Sequence, residues 1–600
     1  MRHHHRCDTG HRRRQALQGA ASRHCGRTCC GRGVERSRGG TQCARHDRCR
    51  SASGHDRPCS DRRPCRCGAD GESVRSEPRD HRTVTNSTQQ ESVEHVPVAI
   101  VGGGPTGITA ATLLAQYGVE TLVLDRWSQV YPQPRAVHLD DEVYRILGRL
   151  GVAQEFAAIA WPARGLQLID REMTVLARFR RDTLVTRNGF PAANMFDQPQ
   201  LEEVLRTNLT RYRHAQFRGD TEVVDVLTTG SPLRLRVRNR TTGLDSVITA
   251  DFVLGCDGAN SMVRRAIGAE MRNMGFDQRW LVIDIATDAD LQQWEGVHQL
   301  CDDHRAGTYM RIGRDRYRWE FRMLDHESVD DYATLTELRP LIAPWMRGVE
   351  EASLHLIRTA EYTFRAQLAD RWRRGNVFLL GDAAHLTPPF IGQGMGAGLR
   401  DAMNLAWKIA GVHHRDLAPS VLDSYETERR PHARHMISLA LNIGRAMTSG
   451  GRIGAAARAL LLPHLHVVPG LRAKVIDSRT PPLHSSTMVR RSLRPGGIAG
   501  QLCPNALLDD GTRLDEHLGP RFGVVTNTAL SAAQQDTLIF RGAQAVYAEQ
   551  GSDLDRWLRR QHVTGAVVRP DGTVMMAGRD LATICRAVPL FRRDHHHAHP

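Results

Sequence analysis

Residues Pro97 to Gly107 read PVAIVGGGPTG, an apolar, β-branched run that breaks into a glycine-rich turn. The run has the composition of a strand buried on both faces in a parallel sheet. Gly102, Gly104 and Gly107 carry the GxGxxG spacing, and Ile108 to Tyr117 (ITAATLLAQY) continues with helical periodicity. Glycine is required because the turn is tight and the backbone must come close to a pyrophosphate. The free N–H groups and the positive dipole end of the following helix then hold that anion. Glu120 to Asp125 (ETLVLD) reads as a second strand ending in an acid, placed to accept hydrogen bonds from an adenosine ribose. A glycine turn without a ligand would not need this order of strand, helix, strand and acid. The spacing predicts a Rossmann-like α/β domain that binds a dinucleotide.

Two later signatures select among dinucleotides. Asp251 to Cys256 (DFVLGC) reads as a strand that delivers Asp257-Gly258 to a turn, and Asn376 to Leu380 (NVFLL) as one that delivers Gly381-Asp382. A carboxylate at a strand end, next to a glycine, can reach the hydroxyls of a ribityl chain. Pro388, Pro389, Gly392, Gln393, Gly394 and Gly396 then precede a helical pattern from Gly398 to Ile409. Small residues ahead of a helix N-terminus suit a flat, electron-rich ring, and the dipole favours negative charge on it. The three signatures together point to FAD. No second GxGxxG is visible, so NADH or NADPH is expected to dock transiently.

With these signatures the chain resembles the class A, single-component flavin-dependent aromatic hydroxylases, and within them the 3-(3-hydroxyphenyl)propionate hydroxylases most. The residues carrying the resemblance are Pro134 to Glu142 (PRAVHLDDE), Gln198 to Leu201 (QPQL), Asp257-Gly258, Trp280 to Ala286 (WLVIDIA), Arg318 to Phe321 (RWEF), Gly381 through Trp407, and Ser424 to Arg430 (SYETERR). The match runs from about Val96 to the mid-400s and more loosely beyond. It implies tightly bound FAD, a nicotinamide co-substrate, O₂, and ortho-hydroxylation of a small phenolic acid. The implied substrates are 3-(3-hydroxyphenyl)propionate and 3-hydroxycinnamate, giving 2,3-dihydroxy products; other phenols, polyketide aromatics or a non-hydroxylating flavoprotein remain as alternatives. A flavin halogenase is expected to carry a Trp-x-Trp-x-x-Ile element, and none is present. By residue-to-residue match, Arg135 falls beside the flavin and Gln198 on the cofactor.

Other site candidates come from residue chemistry. His138 is the first choice for base or proton relay to the phenol, because imidazole titrates near neutrality; packing of its loop is the competing reading. Asp140, Asp141 and Glu142 read as N-terminal charges of a helix with Val143, Ile146, Leu147 and Leu150 on one face. Arg316, Arg318 and Arg322 alternate along one strand and are candidates for a substrate carboxylate, unless their shared face is solvent. His385 belongs to the third signature, and no metal site is expected.

The chain carries 81 basic and 66 acidic residues. Twenty of the basic ones, all arginine, fall in the first 82 residues with nine acids, so the remainder is near neutral. The same segment holds nine of the 13 cysteines and no apolar periodicity. A nucleic-acid-binding arm would need stacking aromatics, a zinc module ordered ligand pairs, and a mitochondrial presequence an amphipathic helix. The favoured reading is translation of a GC-rich region not selected for folding, with a start near Val84 or Val93. The basic balance therefore does not argue for a nucleic-acid partner. No run approaches the ~20 apolar residues of a membrane span, and four scattered cysteines in the body fit a reducing cytoplasm. A homodimer is compatible with the pattern.

The expected organisation places a basic Cys/Arg-rich segment at 1–93 and an FAD-binding domain at 94–480, assembled from about 94–170, 245–275 and 365–480. A sheet-rich substrate domain is inserted at about 171–244 and 276–364. A thioredoxin-like domain follows at 498–590, where Cys503 lies in no CxxC pair, and a His-rich tail closes the chain at 591–600.

Overall fold

In the computed structural model, the described residues are 93–448 (apart from 134, 182–184 and 303), 480–491 and 497–592. Most of the basic N-terminal segment, the stretch 449–479 and the His-rich end lie outside them. The first glycine run builds the centre of a parallel sheet. Glu94–Val101 lies between Asp245–Gly255 and Thr121–Leu124; Val377–Leu379 extends the sheet on one side and Ala215–Arg218 on the other, all parallel. Val98, Ala99 and Ile100 are fully buried, as a run apolar on both faces requires. Helix Pro105–Gln116 covers the sheet and is itself covered by helix Gly394–His413. A Cβ on Gly398 would overlap the Thr106 hydroxyl, so the two helices approach at a distance only glycine permits.

A second, mainly antiparallel sheet runs in the order His385–Leu386, His355–Ala369, Met271–Ala286, Arg316–Arg322, Gly307–Arg311, Val297–Leu300, Gly165–Ile169, Val175–Arg180. One face packs an aromatic cluster of Tyr309, Tyr317, Trp319, Phe321 and Trp345 beneath helix Leu335–Ile342. The other face roofs the cavity described below.

The interval 171–244, expected in the substrate domain, divides between the two sheets and a small third one, in which Ala193–Met195 pairs with His138–Asp140 and Trp161–Pro162. Its first strand joins the roof, but Ala215–Arg218 pairs with Thr121–Leu124, and Thr221–Leu227 and Leu233–Asn239 pair in series onto Asp245–Gly255. The alternation of Arg234 to Asn239 encodes a half-buried strand and does not say which sheet it joins.

The C-terminal unit is a four-stranded sheet in the order Gln544–Tyr547, Gly523–Thr526, Gly565–Val568, Val574–Gly578. The first pair is parallel and the other two antiparallel, with helices Ala532–Phe540, Asp553–Arg560 and Leu581–Ala587. Buried charges dock it. Arg145 forks onto Asp515 at 2.7 and 2.6 Å and also donates to the Cys503 carbonyl at 2.6 Å. Glu428 meets Lys408 at 2.9 Å and Arg569 at 3.0 Å, all three fully buried, and Arg569 also pairs with Asp571. Burial works against the Glu428 carboxylate, but Arg569 and Lys408 outweigh it and hold its pKa down to about 2. Among the described residues no helix is long and apolar enough to cross a membrane.

Candidate active site

A cavity of about 890 Å³ opens where the two sheets meet. Its floor is built from the three signatures. Gly102 has φ +104°, and a Cβ there would overlap the Cys256 carbonyl; a Cβ on Gly107 would overlap the Gly102 carbonyl. Gly104 has open space instead and precedes a helix with no side-chain cap, so the amides of that N-terminus are free to face a ligand. Asp125 accepts the Gly103 N–H at 2.6 Å and the Trp127 N–H at 2.8 Å, which fixes the carboxylate beside the turn and leaves further lone pairs.

The second signature serves differently. Asp257 accepts from Ser261 Oγ at 2.5 Å and from the N–H groups of Met262 and Val263 at 2.6 and 3.0 Å. Its carboxylate is occupied in capping helix Met262–Ala266, and it is Gly258, at φ +78°, and Ala259 that line the cavity. The expected reach of Asp257 to a ribityl hydroxyl is corrected accordingly: a carboxylate with three local donors stabilises its own turn.

At the third signature Asp382 opens onto the cavity although protein crowds it on the other sides. This crowding pushes its carboxyl pKa up, with His385 and Arg135 opposing. Its turn is held from below: Asp401 accepts the Gly381 N–H at 3.0 Å, His385 Nε2 at 2.7 Å and Arg429 Nε at 2.8 Å. His385 is 1% exposed and belongs to this support rather than to the cavity. Pro389, Gly392, Gln393 and Gly394 carry the lining on to the N-terminus of the long helix, which also has no side-chain cap. Two helix N-termini thus converge on one cavity, and their dipoles make it attractive to anions.

Gln198 accepts the N–H groups of Arg135 and Ala136 at 3.1 and 2.6 Å and donates to Glu202 at 2.7 Å, fixing the loop that carries Arg135. The Arg135 guanidinium lies over the Tyr131 ring, 5.1 Å from its centre, at the cavity wall. His138 also lines the cavity, its Nδ1 3.5 Å from the Gly392 carbonyl. Burial, aided by Arg181 and opposed by Asp140, lowers its pKa to about 4, so the imidazole is neutral at neutral pH. Asp140 caps the next helix through the Val143 N–H at 2.9 Å, and Val143, Ile146, Leu147 and Leu150 are buried.

The three candidate arginines separate. Arg316 pairs with Asp197 at 3.5 Å and Arg322 donates to the His304 carbonyl at 2.7 Å, both half-exposed. Arg318 is 1% exposed and lines the cavity, but its guanidinium donates to Asp284 at 2.7 and 2.9 Å and to the Arg135 carbonyl at 3.1 Å. Arg358 adds a second cation to Asp284 at 2.7 Å. Their shared face is solvent only at its ends.

The sequence profile described as "FAD binding domain" matches residues 95–440. The chain belongs to this FAD-binding family. It is 36% identical over 435 residues to a 3-(3-hydroxy-phenyl)propionate/3-hydroxycinnamic acid hydroxylase of Burkholderia vietnamiensis (strain G4 / LMG 22486), covering 71% of this chain and 78% of that one. It is 32% identical over 514 residues to a probable NADH-specific resorcinol 4-hydroxylase of Rhodococcus jostii (strain RHA1), covering 82% and 93%. In fold it resembles aklavinone-11 hydroxylase solved with FAD and aklavinone, at a TM-score of 0.69, 22% identity, and coverage of 82% of this chain and 99% of that one. It is an FAD-dependent aromatic hydroxylase.

The glycine cradle, the two uncapped helix N-termini and the cavity between the sheets fit FAD. Several cavity residues went unnoticed in the sequence: Glu320, Thr308, Gln299 and Arg181 line it. Glu320 was within reach, since alternation puts it on the face of Arg318. Gln299 and Thr308 sit on short strands with no motif around them.

Proposed function

We propose that this chain ortho-hydroxylates 3-(3-hydroxyphenyl)propionate and 3-hydroxycinnamate to their 2,3-dihydroxy products, with electrons from NADH or NADPH. The observation that carries this reading is a cavity between two helix N-termini and a largely apolar roof, in a chain 36% identical to a hydroxylase of those two compounds. FAD bound there supplies the redox chemistry, passing electrons from the nicotinamide to O₂ and one oxygen atom to the ring.

The chain's residues do the rest. Gly102, Gly104 and Gly107 let the first helix N-terminus meet the pyrophosphate, Asp125 takes the ribose, and Asp382 takes the ribityl hydroxyls. Pro388, Gly392 and Gly394 bring the second N-terminus to the ring, and Arg135 draws the anionic parts of cofactor and nicotinamide. His138 does not titrate near neutrality as its residue type led us to expect: burial lowers its pKa to about 4, so on the cavity wall it is a neutral hydrogen-bond acceptor and only a weak base toward a phenol. Leu166, Leu168, Phe179, Val282 and Met310 exclude water. Arg181 and Arg365, which line the cavity, are the cations for a substrate carboxylate.

The C-terminal unit is read as thioredoxin-like on its strand order and its mix of one parallel and two antiparallel pairs. Burial pushes the Cys503 thiol up to about 12, with Arg145 opposing, which favours packing over redox chemistry.

The Rhodococcus jostii relative, matched over 93% of its own length, favours a second reading, a neutral phenol such as resorcinol. One experiment covers both. NADH and NADPH oxidation by the holoenzyme is followed with each phenol, and products are identified by mass spectrometry. A rate stimulated by 3-(3-hydroxyphenyl)propionate, with a product one oxygen atom heavier, is expected. Stimulation by resorcinol alone moves the assignment to the second reading, and oxidation that no phenol stimulates sinks both.

A further inference from the structure

We infer that Glu320, flanked by Thr308 and Gln299, forms a subsite in the cavity roof that binds the ring hydroxyl of the aromatic substrate; the inference rests on the hydroxylase reading above. The roof's register carries the argument. Val282 pairs with Glu320, Glu320 with Thr308, Thr308 with Gln299, and Gln299 with Leu168. These five residues form one row across neighbouring strands, and all five line the cavity. Three adjacent polar side chains thus stand between Val282 and Leu168, with the apolar Trp280, Met310, Leu166 and Phe179 and the Asp284-bound Arg318 also on the roof. An apolar cavity with a few convergent polar groups is the arrangement that orients a small ligand.

Hydrogen-bond capacity then singles out Glu320. Gln299 Nε2 donates to the Gly307 carbonyl at 2.9 Å, and Gln299 Oε1 accepts the Thr308 hydroxyl at 3.2 Å, so the donors of this pair are engaged. The Glu320 side chain is only 10% exposed, and its nearest cation, Arg318, stands 3.7 Å away with its other donors on Asp284. Among the described residues no hydrogen bond reaches the Glu320 carboxylate. An enclosed carboxylate with acceptors to spare is costly until a donor arrives, and a phenolic O–H is such a donor, giving a short charge-assisted bond. The same charge repels a substrate carboxylate, so a phenolic acid enters with its hydroxyl toward Glu320 and its acid elsewhere. Burial also raises the Glu320 pKa, against the pull of Arg318 and Arg358, which narrows its gap from a phenol.

The test titrates FAD holoenzyme with 3-(3-hydroxyphenyl)propionate and with 3-phenylpropionate, which lacks the hydroxyl, reading the flavin absorbance. Wild type is expected to bind the hydroxylated compound at least about 30-fold more tightly, because a site built around a hydroxyl rejects the analogue without it. Glu320→Leu is expected to compress that preference to within about threefold, with FAD content retained and Tm not lowered. Glu320→Gln, whose amide oxygen still accepts, keeps most of it. A Glu320→Leu holoenzyme that retains the full preference overturns the inference, as does a wild type that binds both compounds equally while turning over the phenol. A wild type that no phenol stimulates instead removes the hydroxylase reading, and the inference with it.

Discussion

The glycine turn at Gly102–Gly107 and the roof strand Arg316–Arg322 both present a regular sequence pattern, yet only the first converts directly into a site. In the turn, every requirement is local: Gly107 packs against the carbonyl of Gly102, and the acid of the next strand holds the Gly103 amide at 2.6 Å. Along the roof strand, alternation assigns Arg316, Arg318, Glu320 and Arg322 to one face, but their surroundings come from strands far away in sequence. Arg318 faces Asp284, 34 residues upstream, and becomes a strut, whereas Arg322 ends at a loop carbonyl. The same side chain at the same period does different work according to its neighbours.

The comparison can be broken at its local end with Gly107→Ala. The added methyl meets backbone that cannot move aside, so FAD affinity should fall by roughly a hundredfold or more, and the protein should purify nearly colourless. Retention of stoichiometric FAD would show that the turn tolerates what its geometry forbids.

The non-local end can be broken in the roof. Arg318→Met strips Asp284 of one of two cations and frees the Arg135 carbonyl, and loss of one partner from a buried ion pair costs about 3–5 kcal/mol. Urea denaturation checks the stability. FAD content and the KM for the nicotinamide check whether the loop carrying Arg135 shifts.

Acid should act on the roof sheet as well. His298 is 2% exposed, with Trp345 Nε1 donating to its Nδ1 at 3.2 Å and its Nε2 3.1 Å from the Trp294 carbonyl. Burial, partly opposed by the Trp294 carbonyl, lowers its pKa from 6.5 to about 4. The unfolded chain therefore binds the proton more readily. Stability from this group is fully present above pH 6.5 and is lost as pH falls toward 4, by up to about 3 kcal/mol. Unfolding measured across that window in His298→Asn should show a shallower pH dependence than in the wild type, and an unchanged slope would remove His298 as its source.

The smallest effect sharpens the contrast. Arg322→Ala, on the same face but half-exposed, should change stability by less than about 0.5 kcal/mol and leave kcat/KM unaltered. A substantial catalytic loss would mean that the whole face, and not its centre, attends the substrate.

Much of this site was legible because its parts are short-range. The run PVAIVG forms the central strand Glu94–Val101, the pattern after Gly396 belongs to helix Gly394–His413, and Asp140 caps the helix beginning at Asp141. Asp257 shows the limit of that reasoning. A strand-end acid beside a glycine was readable, but Ser261 and the following amides, all within six residues, claimed its carboxylate. The strand Leu233–Asn239 shows another: its alternation was plain, while its sheet was not.

From the sequence alone came the dinucleotide turn, the order of the three signatures and hence the flavin-binding class, because strand burial, tight turns and helix N-termini are set within a few residues. Tertiary structure alone decided that Arg318 is a strut, that His138 is held neutral at the cavity wall, and that Glu320, Thr308 and Gln299 share one row. Charge and proton affinity inside a protein depend on which distant groups surround a side chain, and only the folded chain supplies them.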